Sequence, residues 1–133
     1  MTDTATDAYS SFTVNDLEST RTFYQDVLGL RIEDRDGMLF IHLPGGAYTV
    51  AYAHPKHQPA RFTILNIVVP DLPIAVADLT RRGVEFEHYE GTSIKIDSDG
   101  IYRAKGPWFA WFYDPSGNVL AVCERDVRPS GTA

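Results

Sequence analysis

The residues of this chain with chemistry to offer are four histidines, one cysteine, a short acidic loop and a set of aromatic and amide side chains. His42, His54, His57 and His88 show no metal-ligand spacing. Histidine titrates near neutral pH, so the plausible work for a single one is proton transfer. His54, at the end of a predicted strand, is the one candidate for that role, whereas His57 falls in a linker where solvation explains it. Cys123 lies late in an apolar run with no paired histidine evident, and reads as a small core hydrophobe rather than a nucleophile. Asp97-Ser98-Asp99-Gly100 has the opening of a calcium loop, but the glycine comes too early and the bidentate glutamate is missing, so it reads as a turn. Tyr48 and Tyr52 stand two apart on a strand and serve either cross-strand packing or a planar ligand. Asn66 sits among Ile, Leu and Val, where an amide needs a partner, either a neighbour or a ligand. Trp108 and Trp111 are three apart, so a regular strand sends them to opposite faces, and alternation does not say which one meets a site.

The elements that must position these groups are well marked. Gly106 to Glu124 carries two aromatic and aliphatic runs around Asp114-Pro115-Ser116-Gly117-Asn118, which predicts a β-hairpin. Earlier, Tyr9 to Val14 reads as a strand and Asn15 as a helix cap, with Glu18 three residues on. Leu17, Thr20, Phe23, Tyr24, Val27 and Leu28 keep helical spacing, and Gly29 suits the position just past the helix end. Strands are predicted at 30–33, 38–43 and 47–54, with turns at Arg35-Asp36-Gly37 and Pro44-Gly45-Gly46. Pro55 to Pro59 is the linker-like stretch.

The same grammar then returns. Phe62 to Val69 reads as a strand leading into Val69-Pro70-Asp71-Leu72, as Val14-Asn15-Asp16-Leu17 followed the first. Leu72, Ala75, Val76 and Leu79 follow helical spacing, Pro73 is tolerated near the start, and Arg81-Arg82-Gly83 closes the helix. Gly83-Val84-Glu85-Phe86-Glu87 echoes Gly29-Leu30-Arg31-Ile32-Glu33. The later turns fall out of step, which predicts an insertion within 89–105. Two copies of β-α-β-β-β are a duplication, not a solenoid array.

The 133 residues fit one domain with a sizeable core. A net charge of −6 argues against nucleic acid, whose phosphates want a basic face. A single cysteine excludes an intrachain disulfide and fits a reducing compartment. Met1 to Asp7 lacks the basic and apolar regions of a signal peptide. No run approaches the roughly 18 apolar residues of a membrane span. The expectation is a cytoplasmic protein with no nucleic-acid or membrane partner.

The chain resembles the vicinal oxygen chelate superfamily of glyoxalases, bleomycin-resistance proteins and extradiol dioxygenases. Val14-Asn15-Asp16-Leu17-Glu18, the stretch Phe23-Tyr24-Gln25-Asp26-Val27-Leu28-Gly29-Leu30, and Asp114-Pro115-Ser116-Gly117-Asn118 carry the resemblance over roughly residues 8–125. It implies an α+β fold of two βαβββ modules whose curved mixed sheets surround a cleft, often in a homodimer. Module one would span about 8–54, the linker 55–60, module two about 61–125, and 126–133 a tail. Metal-dependent members place their ligands at positions that map here to Tyr9, Val50, Ile64 and Ala121. Divalent cations want imidazole, carboxylate or thiolate donors. The set therefore predicts no metal and no cofactor.

Strand alternation from those four positions sorts the side chains into two faces. One carries Tyr9, Ser11, Thr13, Tyr48, Val50, Tyr52, His54, Phe62, Ile64, Asn66, Val68, Val119, Ala121 and Cys123. The other carries Phe12, Val14, Thr49, Ala51, Ala53, Leu65, Ile67, Val69, Leu120 and Val122, an aliphatic surface for two amphipathic helices to cover. The first face mixes rings with polar groups, as ligand pockets do. Tyr9, Ser11, Tyr48, Tyr52, His54, Asn66, Trp108 and Trp111 are its expected ligand-binding residues. The reading is a metal-free protein that binds or sequesters an aromatic or amphipathic small molecule. The competing readings are a glyoxalase-like lyase, isomerase or dioxygenase with a divalent metal on other ligands, metal-independent acid–base catalysis at His54, and a partner-binding module.

Overall fold

The computed structural model describes residues 4–89, 94–103 and 106–124. Two compact units, Met1–Pro59 and Ala60–Ala133, divide the chain at the end of the proline-bounded linker. The fold is α+β, with one mixed sheet in each unit.

In the first unit, strand β1 (Ser10–Val14) leads to helix α1 (Leu17–Thr22), which runs on into a π-helical turn at Phe23–Val27. Strands β2 (Arg31–Arg35), β3 (Met38–His42) and β4 (Tyr48–Ala53) follow. Their order in the sheet is β1-β4-β3-β2, with β1 parallel to β4 and the other pairs antiparallel. This is one complete βαβββ module. The helix cap is Asp16, not Asn15: Asp16 is extended and its carboxylate accepts the Ser19 N–H at 2.8 Å. Glu18 pairs with Arg21, which also holds Asp34, so the expected capping box does not form. Gly29 has φ 73°, and Leu30 N–H donates to the Tyr24 carbonyl at 3.0 Å to close the helix end.

The second unit is built from β5 (Thr63–Val69), α2 (Leu72–Arg81), β6 (Phe109–Tyr113) and β7 (Val119–Glu124). The sheet order is β5-β7-β6, with β5 parallel and β6 antiparallel to β7. Asp71 caps α2 by accepting the Ile74 N–H at 3.1 Å, with Pro73 in the first turn. Val84 N–H returns to the Leu79 carbonyl at 3.0 Å across Gly83 at φ 97°.

The strand expected at Gly83 to Glu87 is not regular. The outer edge of β6 is shared between two segments, so neither forms a ladder along it. Glu87 N–H donates to the Trp111 carbonyl at 2.8 Å, while Tyr102 bridges Phe109. Among the described residues this sheet has three strands. The insertion expected within 89–105 falls partly on 90–93 and 104–105, and the tail at 126–133 wholly, outside the described residues. Within that stretch Asp97 to Gly100 is a turn, closed by Gly100 N–H on the Asp97 carbonyl at 2.9 Å. The Asp97 and Asp99 carboxylates clasp Arg103.

The core of each unit lies between its helix and one sheet face. Val14, Leu39, Ile41 and Ala51 are buried in the first, with Phe12 against Tyr24. Ala110, Phe112, Leu120 and Val122 are buried in the second, with Leu72, Val76 and Leu79 of α2. No helix among the described residues is long and apolar enough to cross a membrane.

Candidate functional site

Each helix covers one face of its sheet, so the opposite faces decide what chemistry is presented. On the first sheet the register sets Ser11 beside Val50 and Phe40, and Thr13 beside Tyr52 and Met38. Tyr48 pairs with His42 in the same alternation. Tyr9, Ser11, Tyr48 and Tyr52 therefore share one face, together with Phe40, His42 and Glu33.

Rings pave that face. Tyr9 and Tyr48 stack with centroids 5.0 Å apart, and Phe40 stacks on the same tyrosine at 5.8 Å. The His42 ring lies 6.3 Å from Tyr48. The Arg35 guanidinium caps Phe40 at 4.4 Å from the centroid, a cation–π contact. His42 Nε2 lies 2.8 Å from Glu33 Oε1. The Arg35 guanidinium, and next His42, hold the Glu33 carboxyl below its ordinary range. Phe40 and the His42–Glu33 pair escaped the sequence reading, although alternation along 38–43 and 31–35 carried the signal.

His54 is exposed just beyond β4. Its Nδ1 accepts the Lys56 N–H at 3.0 Å, so the ring's basic nitrogen already serves the linker turn. His57 Nδ1 lies 2.7 Å from the Thr13 hydroxyl, which ties the linker to β1.

On the second sheet Asn66, Ala121 and Trp111 form one cross-strand row, and Val68, Cys123 and Phe109 the next. Trp111, rather than Trp108, thus lies on the face with Asn66. Trp108 precedes β6, and the Arg103 guanidinium sits over its ring at 4.9 Å. Asn66 is exposed on an edge strand, so its amide needs no obligatory protein partner. Around Trp111 stand Phe109 at 5.7 Å, Tyr89 at 5.6 Å and Tyr102 at 5.8 Å between centroids. Glu87 and Tyr113 interact beside them, and burial first, then Glu87, push the Tyr113 hydroxyl up to about 12. Cys123 is fully buried and burial raises its thiol pKa, which suits packing rather than nucleophilic attack.

The four positions that correspond to metal ligands in the resembled proteins do not fit a divalent cation. Val50 and Ala121 are buried and apolar, Ile64 sits where β5 bulges against β7, and the Tyr9 ring is engaged by Tyr48. Only the tyrosine carries a heteroatom, and a neutral phenol is a poor ligand. Among the described residues no group of three or more His, Cys, Asp or Glu side chains comes together.

Comparison with known proteins points one way. The family model described as Glyoxalase/Bleomycin resistance protein/Dioxygenase superfamily matches residues 7–122. An uncharacterized protein of Mycolicibacterium smegmatis (strain ATCC 700084 / mc(2)155) is 32% identical over 104 residues, spanning 78% of this chain and 80% of that one. Among solved structures, the antibiotic binding protein TnmS3 from Streptomyces sp. CB03234 superposes with a TM-score of 0.64 at 24% identity, covering 93% of this chain and 98% of that chain. The fosfomycin resistance protein FosX from Mesorhizobium loti gives 0.64 at 14% identity, covering 96% of each chain. A superfamily member from Sphaerobacter thermophilus DSM 20745 gives 0.64 at 20% identity, covering 91% and 98%. At these identities the structures speak for the fold.

Proposed function

The chain belongs to the glyoxalase/bleomycin resistance protein/dioxygenase superfamily, and from that premise we propose that it is a metal-free small-molecule-binding protein. Its ligand is aromatic or amphipathic, and its action is to hold or sequester that ligand rather than transform it. One observation carries the reading: each unit leaves the sheet face opposite its helix paved with rings and a few polar groups. Tyr9, Tyr48 and Phe40 form the row on the first sheet, and Trp111 with its three aromatic neighbours the cluster on the second. Apolar walls with few polar groups are what a small-molecule site requires. The donor chemistry at Tyr9, Val50, Ile64 and Ala121 argues against the metal-dependent lyase, isomerase and dioxygenase alternative. TnmS3, described as an antibiotic binding protein, is an instance of binding on the same fold.

The test has two parts. A thermal-shift screen with planar aromatic compounds is expected to find ligands that raise the melting temperature in proportion to the logarithm of their concentration. Elemental analysis of protein purified without chelators is expected to find no stoichiometric divalent metal. Stoichiometric metal would replace this reading with the metal-dependent one, and a screen without a stabilising compound would remove the binding role.

A further inference from the structure

Glu87 stands apart from the other carboxylates that lie beside aromatic surfaces. Glu33, close to Phe40, meets Arg31 and Arg35, and Asp99 meets Arg103 next to Trp108. Glu87 meets no guanidinium or ammonium group among the described residues. It reaches the Trp111 neighbourhood because its own N–H is bonded to the Trp111 carbonyl at 2.8 Å. Its Oε1 accepts the N–H groups of His88 and Tyr89, each at 3.1 Å. Those bonds hold Tyr89 in the left-handed region at φ 49° and keep its ring against Trp111 at 5.6 Å. They occupy Oε1, and the Tyr113 hydroxyl is a further hydrogen-bond partner of the same carboxylate. Hydrogen bonding, first from the Tyr89 N–H, keeps the Glu87 carboxyl below its ordinary range, so it is anionic at neutral pH. Among the described residues no basic side chain shares the rows of this face, where Thr63, Asn66, Val68, Val119, Ala121 and Cys123 are the other members.

The faces of Trp111, Tyr89, Tyr102 and Phe109 carry negative quadrupole potential. Among the described residues the only cationic influence on Glu87 is the neighbouring exposed His88 imidazole. A fixed anion with no guanidinium or ammonium partner there, beside electron-rich rings, attracts a cation and repels an anion, because both contributions have the same sign. We propose that this corner of the second sheet, formed by Glu87, Tyr89, Tyr102, Phe109, Trp111 and Tyr113, recognises the organic-cation end of the ligand. The class is an ammonium, amidinium or ring-nitrogen cation carried on a planar or amphipathic body. The inference rests on the small-molecule-binding reading and adds the charge of the ligand to it.

Calorimetric titration with N-methylacridinium, neutral acridine at mildly alkaline pH, and acridine-9-carboxylate separates the two. The cation is expected to bind about tenfold more tightly than acridine, with the carboxylate weakest. Glu87→Gln, whose amide oxygen still accepts the two N–H groups, is expected to bring the cation-to-neutral ratio near one without weakening acridine. Glu85→Gln, an exposed neighbour with the same loss of net charge, is expected to keep the ratio. A ratio that survives Glu87→Gln, or a carboxylate that binds as well as the cation, overturns the cation site while leaving small-molecule binding in place. Failure of all three compounds to bind removes the binding reading and this site with it. Should Glu87→Gln melt without cooperativity, Trp111→Phe takes its place, since it keeps a ring there. It is expected to weaken the cation more than acridine, and equal weakening of both overturns the proposal.

Discussion

Asp114 and Asn118 lock the hairpin between β6 and β7 from inside. The Asp114 carboxylate accepts the Asn118 N–H at 2.9 Å and its Nδ2 at 3.1 Å, as well as the Ser116 N–H at 2.9 Å. Asn118 Oδ1 in turn accepts the Ala60 N–H at 3.3 Å, tying the turn to the residues that lead into β5. Both side chains are buried, so the motif that marks the family acts here as a fold lock. Asp114→Ala strands several buried donors, each worth about 1–3 kcal/mol when left unpaired. A loss of about 3 kcal/mol or more in urea unfolding is expected, and a change below about 1 kcal/mol would show that water replaces the carboxylate.

Tyr48 is the hub of the first aromatic row, touching Tyr9, Phe40 and His42. Tyr48→Ala is expected to weaken a planar aromatic ligand on this face by about tenfold, and Tyr48→Phe by no more than about twofold, because stacking depends on the ring. Direct titration checks both. Equal loss in the two variants would assign the effect to the hydroxyl instead.

The helix caps predict a smaller effect. Asp71→Ala removes the acceptor of the Ile74 N–H at the start of α2. A cost of about 1 kcal/mol is expected in chemical denaturation, with Asp71→Asn close to the wild type. An unchanged midpoint for the alanine variant would mean that this end of α2 does not limit stability.

Tyr113 makes the alkaline limb of stability informative. Its folded pKa, about 12, lies above the ordinary value of 10.0. A raised folded pKa means that the stability tied to the neutral hydroxyl is whole below the unfolded value. It is lost as pH rises through the folded one. Tyr113→Phe is therefore expected to flatten the fall in melting temperature above about pH 10 and to remove one late step from the ultraviolet tyrosine titration. Tyr113 is 42% exposed, so a titration in which every tyrosine ionises near its ordinary value would show that partial desolvation and Glu87 do not hold this hydroxyl neutral.

Both sheets are open, and an open sheet leaves strand edges that pair or are covered. Phe62 is 70% exposed beside edge strand β5. We expect a symmetric dimer in solution, the commonest way to satisfy such edges. Sedimentation equilibrium is expected to return the mass of two chains, with Phe62→Asp shifting it toward one. A monomer at high protein concentration would refute the pairing.

The sequence by itself determined what is carried by contiguous residues. The alternation in Ser10–Val14, Tyr48–Ala53 and Val119–Glu124, the i, i+3, i+4 spacing through Leu72, Val76 and Leu79, and the turn at Asp114 to Asn118 all follow from local sterics and periodicity. From them came the two modules, the helix-covered faces and the sharing of one face by Tyr9, Ser11, Tyr48 and Tyr52. Even the cap of α1 was legible only to within one residue, because Asn15 and Asp16 both carry a suitable acceptor and the extended backbone at Asp16 made the choice.

Only the tertiary structure decided which distant segments lie side by side. Spacing sent Trp108 and Trp111 to opposite faces, but hydrogen bonding of β6 to β7 set Trp111 in the row of Asn66. The approach of Glu87 to the Trp111 carbonyl, with Tyr102 claiming Phe109, replaced the second module's expected extra strand with two single contacts. The Glu87–Tyr113 corner arises in the same way. Such pairings depend on register between strands far apart in the chain, and a one-residue shift would carry every ring to the opposite face.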